Sequence, residues 1–152
     1  MRKRITNFTS SKTIPTDEQW LDLEQIAQIE ITSENPEYQI EEALLLKGQL
    51  GWRAAQIGEQ VLRIIFDQPQ QLKKIRLCFI ENQEERTQEF VLRWSADKGK
   101  TFQEIVRQQW NFNSTSIEEI ENYSVELANV TILELVILPG KGYASLQRLR
   151  LA

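Results

Sequence analysis

The side chains best suited to chemistry in this chain sit in the breaks between apolar runs: Trp52, Arg53, Arg86, Trp110, Asn111, Asn113 and Tyr143. Together they suit a polyhydroxylated ligand. An aromatic face can cover the C–H patch of a pyranose, while planar amide and guanidinium groups hydrogen-bond neighbouring hydroxyls in pairs. The same residue types anchor protein–protein interfaces, so composition leaves both glycan and protein open as ligands. Trp52, followed by Ala54 and Ala55, reads first as a core plug beneath its loop and second as a stacking surface. Trp110, at a strand–loop junction, reads as either. Arg86 and Arg107 read first as ion-pair partners of nearby glutamates such as Glu84, Glu89 and Glu104.

The inventory is poor in proton-transfer groups. There is no histidine, and the single cysteine, Cys78, removes the thiolate route to a metal site and any intramolecular disulfide. Glu118, Glu119 and Glu121 form a carboxylate cluster, but glycoside hydrolysis needs two carboxyls facing each other across a cleft. The six glycines include no phosphate-cradling loop. The expectation is a binding protein, not an enzyme, with neither cofactor nor metal.

At 152 residues, 41% hydrophobic and 26% charged, the chain has an ordinary globular composition. Its net charge of −4 disfavours nucleic acid as a partner. No apolar run approaches the roughly 18 residues of a membrane span. The start Met1-Arg2-Lys3-Arg4 is basic, but polar residues such as Thr6, Asn7 and Thr9 follow where an export signal would be apolar, so the expected compartment is the cytoplasm. Self-association through one sheet face remains open.

The elements that must position the site residues are strands. Residues 1–17 read as a flexible N-terminal arm, and 18–152 as one domain. A short helix over 17–31 passes into a strand at Ile29 and Ile31, and Asn35-Pro36 marks a turn. Alternation then predicts strands at Val61–Phe66, Lys73–Ile80, Gln88–Ser95, Thr101–Gln109, Tyr123–Leu127, Thr131–Leu138 and Ser145–Leu151. Trp94, in phase with Phe90 and Leu92, reads as core, whereas Cys78 alternates outward. Seven or eight strands without intervening helices make an all-β antiparallel sandwich or jelly roll.

If successive strands run antiparallel, Asp67–Leu72, Ala96–Lys100 and Ala128–Val130 form short loops at one end. The longer segments Glu41–Gln60, Glu81–Arg86, Trp110–Glu119 and Pro139–Ala144 meet at the other, and that end holds the seven candidate residues. Sandwiches commonly place binding sites on such clustered loops.

The order of these elements resembles a known family. Glu30-Ile31-Thr32-Ser33-Glu34, Ala43 with a loop reaching Gly51-Trp52, then Gly58–Phe66, resemble the start of discoidin-type (coagulation-factor type C) domains. Leu92–Phe102, with its Ser95, Asp97, Gly99 and aromatic Phe102, is similar to their strand-turn-strand signature. Glu134–Ile137 and Leu149–Leu151 sit where that family has its last two strands. The resemblance implies a galactose-binding-like jelly roll whose members bind glycans, lipid head groups or proteins through loops at one end. The family's calcium loop usually reads Ala-Leu-Asp-Gly-Asn before its tryptophan. Here Ala43 is followed by Leu44-Leu45-Leu46-Lys47-Gly48, which leaves a hard cation few oxygen ligands, and no calcium is expected.

Overall fold

The computed structural model describes residues 20–152; the arm assigned to residues 1–17 lies outside them. One helical turn, α1 (Leu23–Ile26), is capped by the Asp22 side chain, which accepts from the Glu24 N–H, and runs directly into β1 (Ala27–Ile31). A second turn, α2 (Glu41–Leu44), is followed by β2 (Trp52–Ile57), β3 (Gln60–Ile80), β4 (Arg86–Ser95), β5 (Gln103–Phe112), β6 (Glu118–Leu138), β7 (Tyr143–Leu146) and β8 (Arg148–Leu151).

The sheet is antiparallel, in the order β1-β3-β6-β4-β5, with β8 also on β3; β2 and β7 pair separately. Strands β3 and β6 are each 21 residues long and remain paired from Gln60↔Ile137 to Ile80↔Glu118. Their Gln60–Phe66 and Ile132–Leu138 halves carry β1 and β4. The other half of β3 carries β8, through Ile75↔Leu151 and Leu77↔Leu149. This bent ribbon folds one hydrogen-bonded network into the two layers of a β-sandwich.

Two expected loops are therefore bends. Asp67-Gln68-Pro69 does not end a strand, because the β3–β6 register shifts between Ile65 and Gln70. Pro69, which has no N–H to donate, lies where the ladder is already interrupted. Opposite it, β6 passes through Ala128–Val130 with Asn129 in the left-handed region at φ 61°. The Ala96–Lys100 turn does close a hairpin, with Trp94 opposite Gln103. Hydrogen bonds from the Ser95 hydroxyl and from Thr101 hold the Asp97 carboxyl down at about 2.

The core lies between the layers. Leu62, Ile64 and Phe66 of β3 alternate inward with Phe90 and Leu92 of β4 and Leu133, Leu135 and Ile137 of β6, facing Ile75, Leu77, Phe79, Leu149 and Leu151. The Phe79 and Phe90 ring centroids meet at 5.3 Å. Trp94 has the expected phase but is only partly buried beside the hairpin turn, packing against the core from its edge. Trp94→Ala should thus cost about 2 kcal/mol, below the roughly 3–5 kcal/mol of an enclosed aromatic. A urea midpoint equal to wild type would show that the ring does not support the core. Cys78 faces outward yet is covered; burial, then the charge of nearby Glu118, pushes its thiol up to about 11.

On the outer face a row of alternating charge crosses five strands in register: Glu30, Arg63, Glu134, Arg93 and Glu104. Glu134, with its side chain 1% exposed, accepts from Arg63 Nε at 2.7 Å and Arg93 Nε at 2.7 Å. Both guanidinium groups lie over the Phe102 ring.

Candidate functional site

Backbone contacts assemble one end of the sandwich from segments distant in sequence. Glu81 N–H donates to Ile117 O at 2.8 Å, and Gly58 N–H to Gly142 O at 3.2 Å. Gly140, at φ 82°, presses on the Thr87 carbonyl so closely that a Cβ would overlap it. Segments 81–85, 113–117 and 139–142 therefore meet, and the long connection before β3 joins them through Gly58.

Ser33 organises that long connection. The buried Trp52 indole donates from Nε1 to Ser33 O at 3.1 Å, while the Ser33 hydroxyl accepts from Ala55 N–H at 3.0 Å and donates to Gln60 Oε1 at 2.7 Å. With 2% exposure, Trp52 offers no face to a ligand and acts as the plug beneath its loop.

Arg86 is also internal, with a side chain 1% exposed. Its Nε donates to Glu81 Oε1 at 2.9 Å, its Nη1 to Pro139 O at 3.0 Å, and its guanidinium lies 5.5 Å from the Phe112 ring centroid. Burial opposes the Glu81 charge. The N–H groups of Gln83 and Glu84, together with Arg86, nevertheless hold that carboxyl below the ordinary glutamate range. Arg86 thus ties segment 81–85 to segment 139–142, and its partner is Glu81, not Glu84 or Glu89. Arg107 does pair with Glu89 and Glu104 at the surface.

The remaining candidates separate into two places. Trp110 is half-buried against Phe112, with centroids 6.5 Å apart, and Asn111 is exposed, accepting from the Thr87 hydroxyl at 2.7 Å. Asn113 shapes the turn before β6 by accepting from Thr115 N–H at 2.9 Å, and it lines a cavity of about 250 Å³ with Ser114, Ile117 and Glu81–Glu85.

Arg53 and Tyr143 line a different groove, of about 290 Å³, together with Asn35, Pro36, Ala54 and Ala55. The Arg53 guanidinium lies 5.4 Å from the Tyr38 ring centroid, and no ion pair holds it among the described residues. Tyr143 is 50% exposed. A planar donor set backed by one tyrosine and sharing a groove with another can donate to paired oxygens while the exposed ring stacks on an apolar sugar face. Sequence reasoning missed Asn35 in this groove and Tyr38 beneath the Arg53 guanidinium. Their signal was the Asn35-Pro36 turn, which folds back through Arg53 N–H donating to Tyr38 O at 3.1 Å.

Among the described residues no three acidic or cysteine side chains are grouped to hold an ion. Glu118 is exposed on the outer face beside Cys78, whereas Glu119 points between the sheets. No helix of the described residues is long and apolar enough to cross a membrane.

No family profile and no curated protein matches the chain by sequence. Solved structures do match by shape. A family 32 carbohydrate-binding module of C. perfringens NanJ, in complex with galactose, superposes with a TM-score of 0.64 at 11% identity, covering 87% of this chain and 96% of that one. A module from a family 31 glycoside hydrolase of Clostridium perfringens gives 0.62 at 18% identity, covering 93% and 97%. A pectin-binding module gives 0.61 at 17% identity, covering 84% and 90%. At such identities the likeness is one of fold: the chain carries the discoidin-like, galactose-binding-like β-sandwich.

Proposed function

We propose that the protein is a non-enzymatic carbohydrate-binding module that takes a glycan in the Arg53–Tyr143 groove. The observation that carries the reading is the Arg53 guanidinium, stacked on Tyr38 and free of a carboxylate among the described residues, lining one groove with the exposed Tyr143 and with Asn35. Tyr143 supplies the stacking face, and Arg53 and Asn35 supply directional hydrogen bonds. The neighbours, one in complex with galactose and one a pectin-binding module, support the ligand class through the shared fold. Asn113 lines the second cavity and extends the surface that a longer glycan would meet, whereas Asn111 lies outside that lining and Trp110 turns its indole N–H inward. Trp52 and Arg86 support the site from beneath and do not touch the ligand.

A glycan array followed by titration of the best ligand tests this reading. Tyr143→Ala and Arg53→Ala should each weaken binding about fivefold or more, since one stacking or charged contact is worth about 1 kcal/mol. Unchanged affinity in both variants, with the fold intact, would sink the placement.

A second reading, a protein-assembly domain, draws on the exposed side chains of Leu46, Leu50 and Ile57, the last opposite Tyr143 in the β2–β7 ladder. Light scattering separates the two. Concentration-dependent dimers that dissociate in Ile57→Glu, together with a silent array, would favour assembly.

A further inference from the structure

The Glu119 side chain is fully buried, and neither of its oxygens accepts a hydrogen bond from an N–H or a hydroxyl group. Its residue lies opposite Phe79 in the β3–β6 ladder. Along the same face of β6 follow Glu121 and Tyr123, opposite Leu77 and Ile75, and the Tyr123 hydroxyl is likewise buried without a partner. In the facing layer Gln88 and Trp110 are cross-strand partners, and both Gln88 amide atoms and the Trp110 indole N–H are buried and unpartnered. The Phe79–Phe90 contact places the two rows in one inter-sheet layer, because Phe79 pairs with Glu119 and Phe90 lies two residues from Gln88.

The facing residues bring no charge to this layer: Phe79, Leu77 and Ile75 from β3, Gln88 from β4 and Trp110 from β5. The nearest buried cation is Arg86, two residues before Gln88 on the same face of β4; its Nε is held by Glu81 and its Nη1 by Pro139 O, while its Nη2 is buried without a partner. Glu119 and the half-buried Glu121 share one inward face and neither has an ion pair among the described residues, so the two cannot both ionise cheaply.

We propose that Glu119 and Glu121 share a single proton between the sheets, making the seam between β5 and β6 an acid-stabilised latch. Burial, then hydrogen bonding to Glu121 and its charge, pushes the Glu119 carboxyl up to about 9, and burial with the same two carboxylates raises the Tyr123 hydroxyl. In the unfolded chain Glu119 titrates at about 4.3. Over the window between, the native state holds one proton more than the unfolded state. The folding equilibrium constant therefore falls about tenfold for each unit rise in pH. The latch is fully set below about pH 4 and released as pH rises through about 9. This chain shows the effect cleanly, since it has no histidine to titrate in the same window and its thiol is raised to about 11.

Urea unfolding of the full chain at several pH values from 5.5 to 7.5 tests the latch. Wild type should lose close to tenfold in folding constant per pH unit, whereas Glu119→Gln, which mimics the protonated group, should give a nearly flat profile and exceed wild type at pH 7.5. Parallel profiles would overturn the proposal. Should Glu119→Gln not fold, carboxyl carbon NMR of wild type decides. A Glu119 resonance that stays at the neutral-acid position at pH 7 supports the shared proton, and one that titrates in the ordinary glutamate range refutes it.

Discussion

Arg86→Ala is expected to lose about 3–5 kcal/mol of stability, because it strands the Glu81 carboxylate in a buried position without its counter-charge. It also removes the donor that ties Pro139 O to segment 81–85. Arg86→Lys should recover little, since an ammonium cannot reproduce the fork that reaches Glu81 and Pro139 at once. Combining Arg86→Met with Glu81→Gln removes both charges and should regain most of the loss. The wild-type pair also has a predictable pH signature. Because the folded Glu81 carboxyl lies below its unfolded value, its contribution is present above about pH 4.3 and fades as pH falls through the folded pKa. Chemical denaturation measures each of these quantities. A wild-type midpoint for Arg86→Ala would show that the residue is peripheral.

Trp52→Ala should be comparably severe, at roughly 3–5 kcal/mol, the cost of truncating an enclosed aromatic. Trp52→Phe separates the contributions: it keeps most of the ring and loses the Nε1–Ser33 hydrogen bond, worth about 1 kcal/mol. The Ser33 hydroxyl also holds Ala55 and Gln60, so loosening this anchor should weaken any ligand in the Arg53 groove through loss of shape. Thermal melts alongside binding titrations check this. A Trp52→Ala protein with normal stability and lost affinity would return Trp52 to the role of a contact residue.

Much of the fold was legible because half-buried strands write their two faces into alternate residues. Leu62, Ile64 and Phe66 against Arg63 is one example, and it lies as read. Where alternation and turn chemistry conflicted, the turn residues misled. Asp67-Gln68-Pro69 looks like a stop, yet a bent ribbon tolerates a proline where its register slips. Strand β2 was hidden in an expected loop because only Trp52 and Ala54 of its six residues are buried. Trp94 shows that phase sets the face of a side chain but not its distance from the sheet's edge.

The meeting of the loops was readable from the order of the strands, whereas the orientation of their side chains was not. Antiparallel succession brings 81–85, 113–117 and 139–142 to one end, and the contacts at Ile117, Gly142 and Pro139 reflect that arrangement. Which side chains point outward there depends on buried partners that sequence does not display. Arg86 turns inward because Glu81 is five residues back across a tight connection, and Arg53 faces a groove because Tyr38 folds over it.

The charge row across the outer face has a consequence for how the sheet is assembled. Slipping a strand by one residue would swing Arg63 or Arg93 into the core, and slipping β6 by two would set Glu134 against Val61 or Ile65 on one side and Val91 or Ser95 on the other. Only one alignment of β3, β6 and β4 lets the buried Glu134 meet both arginines, so a misthreaded sheet carries an uncompensated buried charge from the moment it closes. The row thus acts as a proofreading mark: it adds to the native state and also rejects near-miss pairings that the surrounding valines and isoleucines alone would tolerate.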